Sequence, residues 1–169
     1  MSHAGPSERD WRQTGQDALA EELTLGFPAF SYADAWQLGQ RMVAEAMARE
    51  YPVAIAIGFG VQRVFHAALP GSAATNDHWL DRKFRAVAVH DCSSWVLACQ
   101  QRAEGGDYFA QGGYERAQIA LAGGAVPLRV QGSLIGAVGV SGLAEEDDHR
   151  FVVQALKDYQ EVVTSSAGP

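Results

Sequence analysis

The sequence predicts an α+β domain built on an antiparallel sheet, and three observations carry that prediction. Residues 126–130 and 134–140 are two apolar, β-branched-rich runs joined by a short polar turn at Gln131-Gly132, where glycine supplies the positive φ of a tight hairpin. Residues 53–59 and 61–69 form a second pair of apolar runs, loosened at Gly58-Phe59-Gly60 and closed by the turn Pro70-Gly71-Ser72. Helical stripes lie before, between and after these pairs. The order helix, two strands, helices, hairpin, helix therefore suits an antiparallel sheet with helices packed on it.

The elements follow in order. Residues 1–14 are polar and carry Gly, Pro and Ser, so they read as a mobile tail, with residues 15–163 as one domain and 164–169 as a second tail. A short helix is expected over 16–25, and Phe27 precedes a proline, which pushes it out of the α region. Ser31 is a cap for a helix over 32–50, whose Ala35, Leu38, Met42, Val43, Ala46 and Met47 trace one apolar stripe. After the first strand pair, Thr75 or Asn76 offers a cap for a helix to about residue 89, and Ser93 or Ser94 caps another to about 102. Residues 114–121 fit a short helix or an extended lead equally well. In the run 134–140, alternation places Leu134, Gly136, Val138 and Val140 on one face and Ile135, Ala137 and Gly139 on the other. Both faces are apolar or very small, the mark of a central strand covered on both sides. Glu145, Glu146, Asp147 and Asp148 then set negative charge at the start of the last helix, against the positive end of its dipole.

Composition narrows the function. The 169 residues are 47% hydrophobic and 20% charged, an ordinary globular balance, with a net charge of −7. Nucleic-acid backbones and anionic membranes call for basic surfaces, so neither is an expected partner. No apolar run has the length of a membrane span and the N-terminal residues carry no leader pattern, so a cytoplasmic protein is expected. Cys92 and Cys99 are too far apart on one helix for a disulfide, which fits a reducing compartment.

Two blocks resemble a known family. Gly123-Gly124, Pro127-Leu128, Val130, Gly132, Gly139-Val140-Ser141-Gly142 and Glu146-Asp147-Asp148 resemble the signature of the haem-degrading-domain superfamily, which includes HbpS-like, GlcG-like and PduO-C-terminal-like proteins. A second block, Asn76 to Lys83 with Ser93-Ser94 after it, resembles the uncharacterised-protein-family branch of that superfamily. The resemblance implies a profilin-like arrangement, a homo-oligomer, and haem or another small anionic molecule as ligand.

The candidate ligand-binding residues are Arg82, Lys83, His78, Asn76, Ser93 and Ser94. Adjacent Arg82 and Lys83 suit a carboxylate or phosphate, the one as a bidentate fork and the other as a point charge, unless Arg82 pairs instead with Asp77 or Asp81 on its own helix. Under the resemblance these two cations hold propionates, with His78 nearby and Ser93 or Ser94 giving amides at a helix start. Asp77 and Asp81, four apart, could seat a hard cation or place two carboxylates for acid/base work, though charge decoration of a helix is the much commoner cause. Trp79 reads as a core or subunit-interface anchor. No two of the five histidines have metal-ligand spacing, so no metal site is expected, and the absence of Cys-x-x-Cys-His leaves only non-covalent haem. No motif defines a reaction, and the alternative function is a non-enzymatic oligomeric scaffold using Trp79 and Trp95 at its interfaces.

Overall fold

The computed structural model describes residues 9–166 and 168. Among the described residues six helices pack around one sheet: α1 (Trp11–Glu22), α2 (Tyr32–Ala48), α3 (Ala74–His90), α4 (Ser94–Glu104), α5 (Tyr108–Gly112) and α6 (Glu145–Ser166). The strands are β1 (Ala54–Phe59), β2 (Gln62–Ala68), β3 (Ala125–Val130) and β4 (Ser133–Ser141), in the order β2-β1-β4-β3 with every neighbour antiparallel. The fold is α+β, and β4 is a central strand as its two apolar faces require.

The two faces of the sheet differ in side-chain size. One carries Ile55, Ile57, Phe65, Val126, Leu128, Val138 and Val140, which form the main core with Leu38 and Met42 of α2 and Val152, Leu156 and Tyr159 of α6. The other carries Ala54, Ala56, Ala125 and Ala137, on which Leu80, Phe84 and Val87 of α3 settle. Small residues let this helix ride close to the strands. A Cβ on Gly139 would stand 2.5 Å from the ring of Phe84.

Simple alternation along β4 fails at one point. Leu128 pairs with Gly136 and Arg129 with Leu134, so Ile135 is an extra residue without a partner on β3, a β-bulge. The bulge turns Leu134 to the α3 face, beside Val87 and Ala137, and Ile135 to the α2/α6 core. Both positions are thus the reverse of the expectation, while Val138, Val140, Ala137 and Gly139 beyond the bulge keep theirs. The β3–β4 turn has positive φ at both Gln131 (50°) and Gly132 (80°), the two-residue geometry whose twist matches the flanking strands.

Other boundaries also move. α1 begins at Trp11, inside the stretch expected to be a tail, because Asp10 caps it by accepting from the Gln13 amide at 3.0 Å and Trp11 packs edge-on against Trp95 of α4. α6 continues to Ser166. Ser31 forms a full capping box with Asp34 at the start of α2. α5 has no apolar period to announce it. It rests instead on Asp107, whose carboxylate accepts from the Phe109 and Ala110 amides. The segment 114–121 is neither helix nor strand. Cys92 and Cys99 are both buried and unbridged, and burial pushes their thiols up to about 12 and about 11.

Candidate functional site

The site is built on α3. Asn76, Trp79 and Lys83 recur at three and four residues and share one face, turned from the face that Leu80, Phe84 and Val87 lay on the sheet. Asn76 is half-buried and fixes the helix start, its Oδ1 accepting from the Ala73 amide at 2.8 Å. Lys83 reaches past the end of β4 to the first turn of α6. There its Nζ donates to Asp148 Oδ2 at 3.0 Å and to the Val140 carbonyl at 3.2 Å. Only 3% of the Lys83 side chain and 2% of the Asp148 side chain are exposed. Asp148 also accepts from the amides of Leu143 at 3.0 Å and Gly142 at 3.4 Å. Burial pulls the Lys83 ammonium below its usual range and pushes the Asp148 carboxyl above its own, while the pairing opposes both shifts. Gly124, at φ 132°, makes room for the ammonium: a Cβ there would lie 2.5 Å from Nζ.

Above this pair a cleft of about 320 Å³ opens between α3 and the start of α6, lined by Asn76, Trp79, Ala122, Ser141, Leu143 and Glu145. Trp79 is 38% exposed at its mouth, so it is not a core residue. Arg82 lies over the Trp79 ring, its Cζ 4.5 Å from the centroid, and its Nε donates to the Arg116 carbonyl at 2.9 Å. Neither Asp77 nor Asp81 pairs with it. Those two carboxylates cross to β2 instead, Asp77 to His66 at 2.5 Å and Asp81 to Arg63. Among the described residues no cluster of carboxylates, histidines or cysteines could hold a metal ion.

The remaining candidates lie elsewhere. His78 is exposed on a different face of α3 and has no ion pair or hydrogen bond among the described residues. Ser93 and Ser94 are fully buried. Ser93 Oγ caps α4 by accepting from the Val96 amide at 3.1 Å, and its own amide donates to a carboxylate of this chain, Glu22 Oε2, at 2.9 Å. Ser94 Oγ accepts from the Ala125 amide at 3.1 Å and so ties α4 to β3. Trp95 is buried, with no surface to offer a partner. The structure thus places Asn76 and Lys83 in one cleft, with Arg82 outside its lining on the Trp79 ring, and leaves His78, Ser93 and Ser94 apart from it.

Comparison with known proteins decides the family. Residues 30–157 match the family described as haem degrading protein HbpS-like. This chain belongs to the HbpS-like family. A UPF0303 protein of Streptomyces avermitilis is 43% identical over 141 residues, covering 83% of this chain and 86% of that one. A UPF0303 protein of Brucella canis is 37% identical over 151 residues, covering 89% of each chain. Among solved structures, the Ybr137w protein superposes with a TM-score of 0.82 at 25% identity over 89% of both chains. A PduOC:heme complex gives 0.64 at 22% identity, over 76% of this chain and 94% of that one, a likeness of fold.

Within this HbpS-like chain, Asp148 and Gly124 belong to the signature read in the sequence but not to the candidate ligand-binding residues, and the structure gives both a place at Lys83. Asp148 stands in a run of four acids that the helix dipole already explains, and nothing local separates it from its neighbours. Its neighbour His149 is also buried, with Nδ1 unpartnered, against Trp95, and burial pushes it down to about 4. A histidine held neutral in the fold stabilises above its ordinary value of about 6.5 and loses that contribution as pH falls towards 4. A shift of this size corresponds to about 3 kcal/mol. Urea midpoints of the wild type are therefore expected to fall over this window, and a His149→Leu variant to lack that component.

Proposed function

We propose that this HbpS-like protein is a cytoplasmic homo-oligomer that binds a planar, anionic small molecule, haem or a relative of it, in the cleft between α3 and α6. The observation that carries this reading is the half-exposed Trp79 with Arg82 on its ring, beside the floor formed by Lys83 and Asp148. Trp79 offers an aromatic surface, and the Arg82 Nη groups, unused by its contact with Arg116, suit a carboxylate. Lys83 is already neutralised by Asp148, so its part is to hold the cleft open and in register. For haem the residues present offer an aromatic ring in Trp79 and a cation in Arg82 but no iron ligand of the usual kinds: no histidine, cysteine, methionine or tyrosine lines the cleft. Two buried, unbridged thiols and the absence of any described helix long and apolar enough to cross a membrane support the location.

Titration with haem, followed by the Soret band, tests the reading. Arg82→Ala is expected to weaken binding about tenfold, the loss of one charge-assisted contact, and Trp79→Ala to weaken it further. Binding that neither substitution alters would place the ligand elsewhere. The scaffold reading draws on a separate observation: Tyr32, Trp36 and Val61 are strongly exposed on the side of the sheet away from the cleft.

A further inference from the structure

Haem and smaller planar anions both answer the general description of a ligand for the α3/α6 cleft. The charges around it tell them apart. In the cleft lining, Lys83 and Asp148 neutralise each other. Glu145 is engaged as well, its Oε1 accepting from Arg102 and its Oε2 from the Gly123 amide at 3.3 Å. Among the described residues no second cation lines the cleft, so a negative ligand group depends on the Nη donors of Arg82, which its contact with the Arg116 carbonyl leaves unused. One carboxylate can be met there. A second, such as haem carries, would face a lining whose acids, Glu145 and Asp148, outnumber its one cation, Lys83.

Asn76 adds a neutral donor at the other end. Its Oδ1 is committed to the Ala73 amide at 2.8 Å, which leaves Nδ2 for a ligand, and no described residue accepts from it. Asn76 and Arg82 stand about one helical turn before and after Trp79 on α3, so the indole lies between an amide and a guanidinium. Arg82 covers one face of that ring, and a ligand in the cleft meets what remains of the indole surface. The room is modest. At about 320 Å³ the cleft stands at the small end of small-molecule sites, which suits two fused rings better than a porphyrin with its side chains.

We infer that the cleft takes an iron-free aromatic monocarboxylate of about two fused rings, with a hydrogen-bond acceptor at the end away from the acid. The ring lies on Trp79, the carboxylate meets Arg82, and the acceptor meets Asn76 Nδ2. The inference rests on the cleft as the binding site and narrows the class of its ligand.

Calorimetric titration of the full chain with quinoline-6-carboxylate, 2-naphthoate, naphthalene-2,6-dicarboxylate and haem tests this. The quinoline acid is expected to bind most tightly, the naphthoate several-fold less for want of the ring nitrogen, and the dicarboxylate less again. Arg82→Ala is expected to weaken both monocarboxylates about tenfold. Asn76→Asp keeps an oxygen for the Ala73 amide, sets its charge where the helix dipole favours it, and removes the donor. It is expected to erase the preference for the quinoline over the naphthoate, with circular dichroism confirming that each variant folds. A quinoline acid that shows no binding at roughly millimolar concentration, or a preference that Asn76→Asp leaves intact, overturns the inference. Haem bound more tightly than either monocarboxylate and weakened by Trp79→Ala also overturns it, while keeping the cleft as the site. Binding of haem and acids alike that ignores both Trp79→Ala and Arg82→Ala would dismiss the cleft itself.

Discussion

Lys83→Met is expected to cost about 3–5 kcal/mol of folding stability, the characteristic penalty for stranding one member of a buried ion pair. The loss arises from Asp148. With the ammonium gone, its carboxylate keeps two amide donors from Gly142 and Leu143 but sits 2% exposed beside the Val140 carbonyl, which has lost its donor as well. The compensated variant Lys83→Met/Asp148→Leu is expected to recover most of that loss, since a packed apolar pair of similar volume replaces a desolvated charged one without orphaning either partner. Urea unfolding of wild type, single and double variants forms a cycle whose coupling energy measures the pair. Equal destabilisation by the single and the double substitution would show that the loss does not come from a stranded Asp148 carboxylate. The same comparison guards the ligand experiment: Lys83 replaced by itself confounds binding with unfolding, whereas Arg82 and Trp79 are accessible.

Gly136→Ala is the second large effect. Gly136 pairs with Phe59 on one side of β4 and with Leu128 on the other, next to the bulge at Ile135, and a Cβ there would fall on the backbone carbonyl of Gly58. A flexible side chain could swing aside; a carbonyl in a central strand has nowhere to go. The expected cost is about 3 kcal/mol, at the upper end of overpacking penalties because backbone rather than side chain must move. Gly132→Ala provides the contrast. Its Cβ meets nothing within 4 Å, and its cost is only the left-handed φ of 80°, about 1 kcal/mol. Thermal midpoints of the two variants are expected to differ clearly, and equal midpoints would mean that β4 yields at the bulge.

The fold was legible where a local pattern coincided with its tertiary cause. Ser31 with Asp34, the Gln131-Gly132 turn and the stripes of α2 and α6 each state their own geometry. The bulge was not legible, because an extra residue in one strand is defined by pairing with another, and period-two reading carries Leu134 to the wrong face. In the cleft, the i, i+3, i+7 spacing brings Asn76, Trp79 and Lys83 together on any helix. The partner of Lys83 lies 65 residues away and could not be read from spacing. His78 shared the recognisable block without sharing the face, since a step of one residue turns the helix by about 100°. Ser93 was legible as a cap, and the carboxylate its amide receives comes from a helix 71 residues earlier.

That last contact has a consequence for where the molecule opens. Each hairpin closes across two residues, so the β1–β2 and β3–β4 pairs are local contacts. α1 has no such neighbour. It meets α4 through pairs such as Trp11 and Trp95, and its final residue, Glu22, is desolvated to deliver one oxygen to the Ser93 amide while the other stays 3.9 Å from Arg129 with no hydrogen bond. Amide exchange is accordingly expected to find α1 less protected than the sheet, and equal protection would show that its packing on α4 outweighs the buried carboxylate.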